Sequence, residues 1–143
     1  MTQPASVINY GTDLASVPNP DANGQIDLTS DMAETSGLSV LAQSIVRRQT
    51  TPHGSVIDCP NDCIDVRDFI SAGMTPVQLQ AIPATIKNEL LRDERVLSVN
   101  VEVVYTPGNN SLKITETIFS SAGPFRLTLT VSKVTLDILT ENL

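Results

Sequence analysis

The residue types that could bind a metal ion gather in one short stretch of the chain. They are two thiols, three carboxylates and one imidazole: Cys59, Cys63, Asp58, Asp62, Asp65 and His53. A structural zinc site usually draws on two well-spaced pairs of Cys or His ligands, and here a single Cys pair has one His nearby. The stretch also lacks the ligand spacing and central glycine of a calcium-binding EF-hand. We therefore expect no metal, no cofactor and two free thiols.

Nucleophilic catalysis by a Ser–His or Cys–His pair would need a histidine, and His53 is the only one in the chain. It stands between Pro52 and Gly54, which is a turn context, and no serine has the surroundings of a nucleophile elbow. We expect His53 to be an exposed turn residue. The chain also contains no phosphate loop and no Gly-x-Gly-x-x-Gly fingerprint.

Paired carboxylates are the third candidate, because glycosidases act through two of them. Asp93 and Glu94 are adjacent, so their side chains diverge, and the flanking Arg92 and Arg95 favour ionised carboxylates. A general acid needs the opposite, a raised pKa. Glu116 interrupts the apolar face of a predicted strand, and is either a core-edge residue paired with a base or an active-site acid. Aromatic residues make up only 3% of the chain, so the stacking surface common in sugar sites is also missing, and we expect no enzyme.

Composition indicates one acidic domain. The 143 residues suit a single domain, and an apolar share of 41% is enough for a core. The net charge of −7, with Arg47-Arg48 as the only adjacent basic pair, argues against a nucleic-acid partner. No apolar run is long enough for a membrane span, so we expect no membrane partner. Residues 1–14 lack the features of a secretory signal, which places the thiols in a reducing compartment.

Two helices are predicted from apolar residues at three- and four-residue spacing. The first covers Leu38–Arg48, with Thr35 or Ser36 as its N-cap. The second opens with Thr75 as its N-cap and Pro76 at its first helical position. The stripe of the second helix consists of Leu79, Ile82, Ile86 and Leu90, and Pro83 is expected to kink or split it. A shorter helical turn is expected between residues 66 and 71.

Strands are predicted where apolar and polar residues alternate. The clearest covers residues 97–105, a return strand covers 112–118, and a third covers 125–131, with turns at 107–110 and 121–124. The parity of the apolar residues changes at Ser132-Lys133, which marks either a bulge or the start of a separate C-terminal strand. That last segment, carrying Val134, Leu136 and Ile138, is a candidate edge strand or donated strand.

These elements predict an α+β fold, with two to three helices packed on a mostly antiparallel meander of three to four strands. We expect the domain to cover residues 38–143. Residues 1–37 are expected to form an extended N-terminal arm with a short strand at Gln25–Thr29. The arm is either a solvating tail or a segment that orders on a partner.

Three short segments carry a family resemblance: Ala42–Arg48, Thr51–Ser55 and Leu90–Val96. Their order and spacing resemble the tail sheath initiator of contractile-tailed bacteriophages, a baseplate wedge component sometimes labelled lysozyme-like. At the corner between helix and strand, that family has an acidic residue, a proline, an arginine and usually a valine. Asp93, Arg95 and Val96 match this pattern, and Glu94 stands at the proline position. Asp62-Cys63 also departs from the Tyr-Gly that the family often has.

The resemblance implies structural work in the virion, at the tail baseplate, after synthesis in the host bacterial cytoplasm. It implies a fold like the core domain of the sheath subunit, with wedge proteins, the sheath protein and the tail tube as neighbours. The charged corner Asp93-Glu94-Arg95 would dock on wedge helices, and the protein would template the first sheath ring by strand addition.

Two alternatives remain open from the sequence. One is a peptidoglycan-degrading, lysozyme-like baseplate enzyme that uses Asp93, Glu94 or Glu116. The other is a binding module of an unrelated α+β fold.

Overall fold

The computed structural model describes residues 10–15, 32–71 and 75–132, together with the backbone of 136–141. The elements are β1 (Thr12–Leu14), β2 (Glu34–Ser36), α1 (Leu38–Thr50), α2 (Asp68–Ser71), α3 (Pro76–Leu90), β3 (Val96–Thr106), β4 (Ser111–Ser120), β5 (Gly123–Val131) and β6 (Leu136–Glu141). β1 and β2 form a small antiparallel sheet, and β3, β4, β5 and β6 follow one another in a four-stranded antiparallel meander. The predicted α+β class is confirmed.

The beginning of α1 differs from the prediction. Thr35 and Ser36 do not cap the helix, because both lie in β2, where Ser36 pairs with Thr12 of β1. The N-cap is Gly37, whose positive φ of 67° turns the chain from strand into helix without a side-chain cap. The pairing of β1 with β2 therefore determines where α1 begins, and the prediction of a Thr35 or Ser36 cap, which rested on local capping preference, was wrong.

The described part of the N-terminal arm rests on α1. The Asp13 carboxylate accepts hydrogen bonds from Arg47 at 2.9 Å and from Gln43 at 3.0 Å. Tyr10 packs against the hydrophobic core. The strand predicted at Gln25–Thr29 lies outside the described residues.

A capping box opens α3 as the sequence indicates. The Thr75 hydroxyl accepts from the backbone N–H of Gln78 at 3.3 Å, and the Gln78 side chain accepts from the Thr75 N–H at 3.0 Å. Pro76 occupies the first helical position. Of the two outcomes expected at Pro83, a kink or a split, the split does not occur: α3 continues through Pro83 to Leu90.

Removing this cap should cost a small, measurable amount of stability. Thr75→Ala leaves the N–H of Gln78 without its acceptor, so the free energy of unfolding should fall by about 1 kcal/mol in urea titrations. Thr85→Ala is the matched control, because Thr85 is exposed in the same helix and only donates to the Ala81 carbonyl. Equal losses in both variants would contradict a role for the cap.

The core lies between the helices and the inner face of the meander. Its β-strand members alternate as predicted and are fully or almost fully buried: Val99, Leu112, Ile114, Ile118, Phe125, Leu127, Leu129 and Val131. The prediction for Leu97 was wrong, since that side chain is 63% exposed and Val96 is buried in its place. The cause is a register shift in the β3–β4 pairing between Val96 and Ser98. A β-bulge at this point adds one unpaired residue, so the alternation of inward and outward side chains is interrupted there.

β5 ends at Val131, so the parity change near Ser132 marks the start of a separate strand and not a bulge. β6 pairs antiparallel with β5, with Leu136 opposite Val131 and Ile138 opposite Leu129. Among the described residues, no helix is long and apolar enough to cross a membrane.

Candidate functional site

The charged corner joins the end of α3 to the start of β3. Two backbone hydrogen bonds close it: the N–H of Asp93 donates to Leu90 at 3.2 Å, and the N–H of Val96 donates to Asp93 at 3.0 Å. The corner therefore places Asp93, Glu94 and Arg95 side by side at one end of the meander.

Asp93 and Arg95 bind each other. The guanidinium donates to both carboxylate oxygens, at 2.9 Å from Nε and 2.7 Å from Nη2, and the backbone N–H of Arg95 adds a third bond at 3.0 Å. Burial alone would raise the pKa of Asp93, but these hydrogen bonds outweigh it and hold the pKa below the usual value. Asp93 is thus a buried, ionised residue whose carboxylate oxygens accept hydrogen bonds from Arg95.

Arg95 also links the corner to the rest of the domain. It donates to the Ser44 hydroxyl on α1 at 3.0 Å, and its guanidinium lies 6.0 Å from the centre of the Tyr10 ring. The Asp93–Arg95 pair consequently fixes the corner against α1 and the N-terminal segment. Asp93 and Arg95, two of the three predicted docking residues, therefore stabilise the fold of the corner.

Glu94 differs from its neighbours. It is exposed, and within the described part of the chain its carboxylate has no hydrogen bond or ion pair. Leu91 and Leu97 beside it are 40% and 63% exposed, and Phe119, which pairs in register with Ser98, is 43% exposed. We call Leu91, Glu94, Leu97 and Phe119 the corner patch: one unpaired negative charge among three exposed apolar side chains.

The candidate edge strand lies where the sequence placed it. β6 is the outer strand of the meander on one side, and β3 is the outer strand on the other. Leu136 and Ile138 belong to β6, and Val134 lies outside the described residues. An outer strand presents backbone N–H and C=O groups that another strand can pair with.

The Cys-containing loop is held against α3 and shows no metal-binding geometry. No group of three or more His, Cys, Asp or Glu side chains in the described ranges is placed to hold an ion. His53 is exposed, and its Nδ1 donates to the Cys63 carbonyl at 3.0 Å. Burial, and next the Glu89 carboxylate, raise the pKa of the free Cys63 thiol, which makes it a poor nucleophile near neutral pH.

Glu89 is a buried ion-pairing residue, although the predicted buried stripe of α3 left it out. Its carboxylate accepts from Arg48 at 3.0 Å and from the backbone N–H of Cys63 at 2.8 Å. Arg92 connects the same cluster to Asp62, whose carboxylate lies 2.5 Å from the guanidinium. The helical stripe carried the missing signal, because Glu89 lies seven residues after Ile82 and so on the same face.

Among the residues that the structure describes, no basic side chain pairs with Glu116. It is fully buried on the inner face of β4 and accepts one hydrogen bond from the Gln49 amide at 2.8 Å. Burial raises the pKa of Glu116 to about 8, and the bond from Gln49 offsets this only in part. A raised pKa suits a general acid, but a side chain with no exposed surface cannot touch a substrate in this conformation.

The chain was also compared with known proteins. No protein-family model matches it, and no curated protein matches it either.

Proposed function

We propose that the protein is a structural part of the baseplate of a contractile phage tail. In this role it connects the wedge proteins to the sheath protein and templates the first sheath ring by strand addition. The observation that carries the proposal is the four-stranded meander with outer strands on both sides, one of them the C-terminal strand β6.

Strand addition suits this architecture for a physical reason. An incoming strand is held mainly by backbone hydrogen bonds, so it needs an open sheet edge and no special side chains. β3 offers 11 residues of outer strand, and Glu102 is its only charged residue. Outer strands that must avoid pairing usually carry lysines, prolines or several inward charges, and β3 has none of these.

The corner patch suits the wedge-docking side of the proposal. Its exposed leucines and phenylalanine offer area that a partner helix can bury, and Glu94 gives that helix a charge to match. The resemblance of Leu90–Val96 to the corner of the sheath initiators supports the same assignment.

Purified protein should nucleate sheath polymerisation and enter a wedge complex when mixed with the sheath and wedge proteins of the same phage. Failure of both reactions with folded protein would refute the proposal. Nucleation without wedge binding would limit the function to the sheath.

Reversing the exposed charge at the corner should weaken wedge binding. Glu94→Lys should lower the affinity by roughly fivefold to tenfold, because the partner's complementary charge would then be repelled. Glu102→Lys is the matched control, because Glu102 is another exposed glutamate that lies within β3, outside the corner patch. A pull-down in which both variants bind like wild type would remove Glu94 from the docking surface.

A further inference from the structure

Glu116 lies in the middle of β4, one of the two inner strands of the meander. In register it stands between Val101 of β3 and Leu127 of β5, and on its own strand Ile114 and Ile118 share its face. A carboxyl group in such surroundings has no water to stabilise a negative charge. Something within the protein must therefore satisfy it.

Among the described residues, Gln49 in the last turn of α1 is the one hydrogen-bond partner of Glu116. Both side chains are completely buried, and the Gln49 Nε2 donates to Oε2 of Glu116 at 2.8 Å. The second oxygen of each group, Oε1 of Gln49 and Oε1 of Glu116, is buried without a hydrogen-bond partner. Two bonded side chains are thus each left with one unsatisfied acceptor.

In the part of the chain that the structure describes, no cation compensates the Glu116 carboxyl. The α1 guanidiniums are engaged elsewhere, Arg47 with Asp13 and Arg48 with Glu89. The α3 cation Lys87 is exposed. On the strands, the charged residues occupy positions of the opposite parity, where the register sets Glu102 opposite Thr115, Arg126 opposite Thr117 and Glu141, and Asp137 opposite Thr130.

A single proton would resolve this arrangement. Protonated at Oε1, the Glu116 carboxyl becomes a donor, and the orphaned Oε1 of Gln49 is the acceptor in its own hydrogen-bonded pair. We propose that Glu116 is protonated in the folded protein and forms a two-bond carboxyl–amide ring with Gln49, and that loss of this proton to solvent loosens the end of α1. The raised pKa described above agrees with this geometry.

Loss of structure at the end of α1 would also affect the loop that follows it. The carbonyl of Gln49 accepts from the N–H of Val66 at 2.9 Å, and the carbonyl of Arg48 accepts from the N–H of Ile64 at 2.8 Å. The loop between α1 and α2 is therefore anchored on the same helical turn that carries Gln49. The carboxyl–amide ring makes the seating of this turn on the sheet dependent on pH.

The protonation state can be measured directly on the full-length protein. In isotope-labelled glutamate NMR, one side-chain carboxyl signal should titrate several pH units above the others and be absent in Glu116→Gln. If every glutamate signal titrates near the ordinary value of 4.5, the proposal is overturned. This readout needs only the wild-type protein, so it stands even if the variant folds poorly.

Hydrogen exchange tests the consequence for α1. Between about pH 6 and about pH 8, the protection factors of amides in the last turn of α1 should fall roughly tenfold to a hundredfold in wild type. Glu116→Gln should remove this fall, because a Gln–Gln pair keeps both hydrogen bonds and has no proton to lose. An equal fall in wild type and variant would overturn the switch.

Discussion

The free energy of unfolding should decrease as the pH rises from about 4.5 to about 8, and Glu116→Gln should abolish most of that decrease. In the unfolded chain Glu116 loses its proton near 4.5, whereas in the folded chain it keeps the proton up to about 8. Within that window the folded state binds more protons, so stability falls with pH by at most about 1.4 kcal/mol per pH unit. Summed over the window, the effect is several kcal/mol, a large share of a typical domain's stability.

Urea titrations of wild type and Glu116→Gln at matched pH values measure this difference. The sign distinguishes Glu116 from the corner, because the lowered pKa of Asp93 contributes stability above the unfolded value of 3.8 that is lost only as the pH falls below it. Parallel curves for the two proteins between about pH 5 and about pH 8 would show that Glu116 does not bind its proton preferentially in the folded state.

The sequence predicted the elements well wherever a local rule determined them. The Thr75-Pro76 start of α3 follows from hydroxyl capping and the fixed φ of proline, and the structure has both. The buried faces of β4 and β5 follow from strict alternation. These features depend on neighbours within a few residues, which a single sequence contains.

The misassigned features depend on contacts between distant segments. Thr35 and Ser36 do not cap α1 because they pair with β1, which lies more than twenty residues earlier in the chain. Leu97 was turned outward by a bulge that is defined by the partner strand β4. The burial of Gln49 results from the packing of α1 on the sheet and could not be predicted from the sequence, since amide side chains are usually found at the surface.

The candidate site shows the same division. The sequence correctly located a corner with adjacent charges, but it treated Asp93, Glu94 and Arg95 as one docking surface. The structure separates them: Asp93 and Arg95 bond to each other, Arg95 also bonds to Ser44 of α1, and Glu94 is exposed. Substituting Asp93 would disturb the corner itself, so Glu94 is the residue whose substitution reports on a partner.

The Glu89 cluster should be the most sensitive polar site in the fold. Glu89→Ala removes the acceptor of the Cys63 N–H and the nearer of two carboxylate partners of Arg48, whose side chain is only 21% exposed. The other partner, Asp62, lies 3.7 Å from the guanidinium and remains. A largely buried guanidinium that keeps only its more distant ion pair, together with an orphaned amide, should lower the free energy of unfolding by about 2 to 4 kcal/mol. Glu94→Ala is the control, because an exposed glutamate without partners should change stability by less than about 0.5 kcal/mol.

Local release of the loop should accompany the loss of stability in Glu89→Ala. Cys63 is half-buried with a raised thiol pKa, and the Glu89 carboxylate contributes to both its position and that shift. Without Glu89 the thiol should react faster with a disulfide reagent, while the exposed Cys59 should react at an unchanged rate. If Cys63 kept its wild-type reactivity while global stability fell, the cluster would stabilise the helices without holding the loop. If neither the free energy of unfolding nor the reactivity of Cys63 changed, the ion pairs of Glu89 would make no net contribution, because solvation of Arg48 would fully replace them.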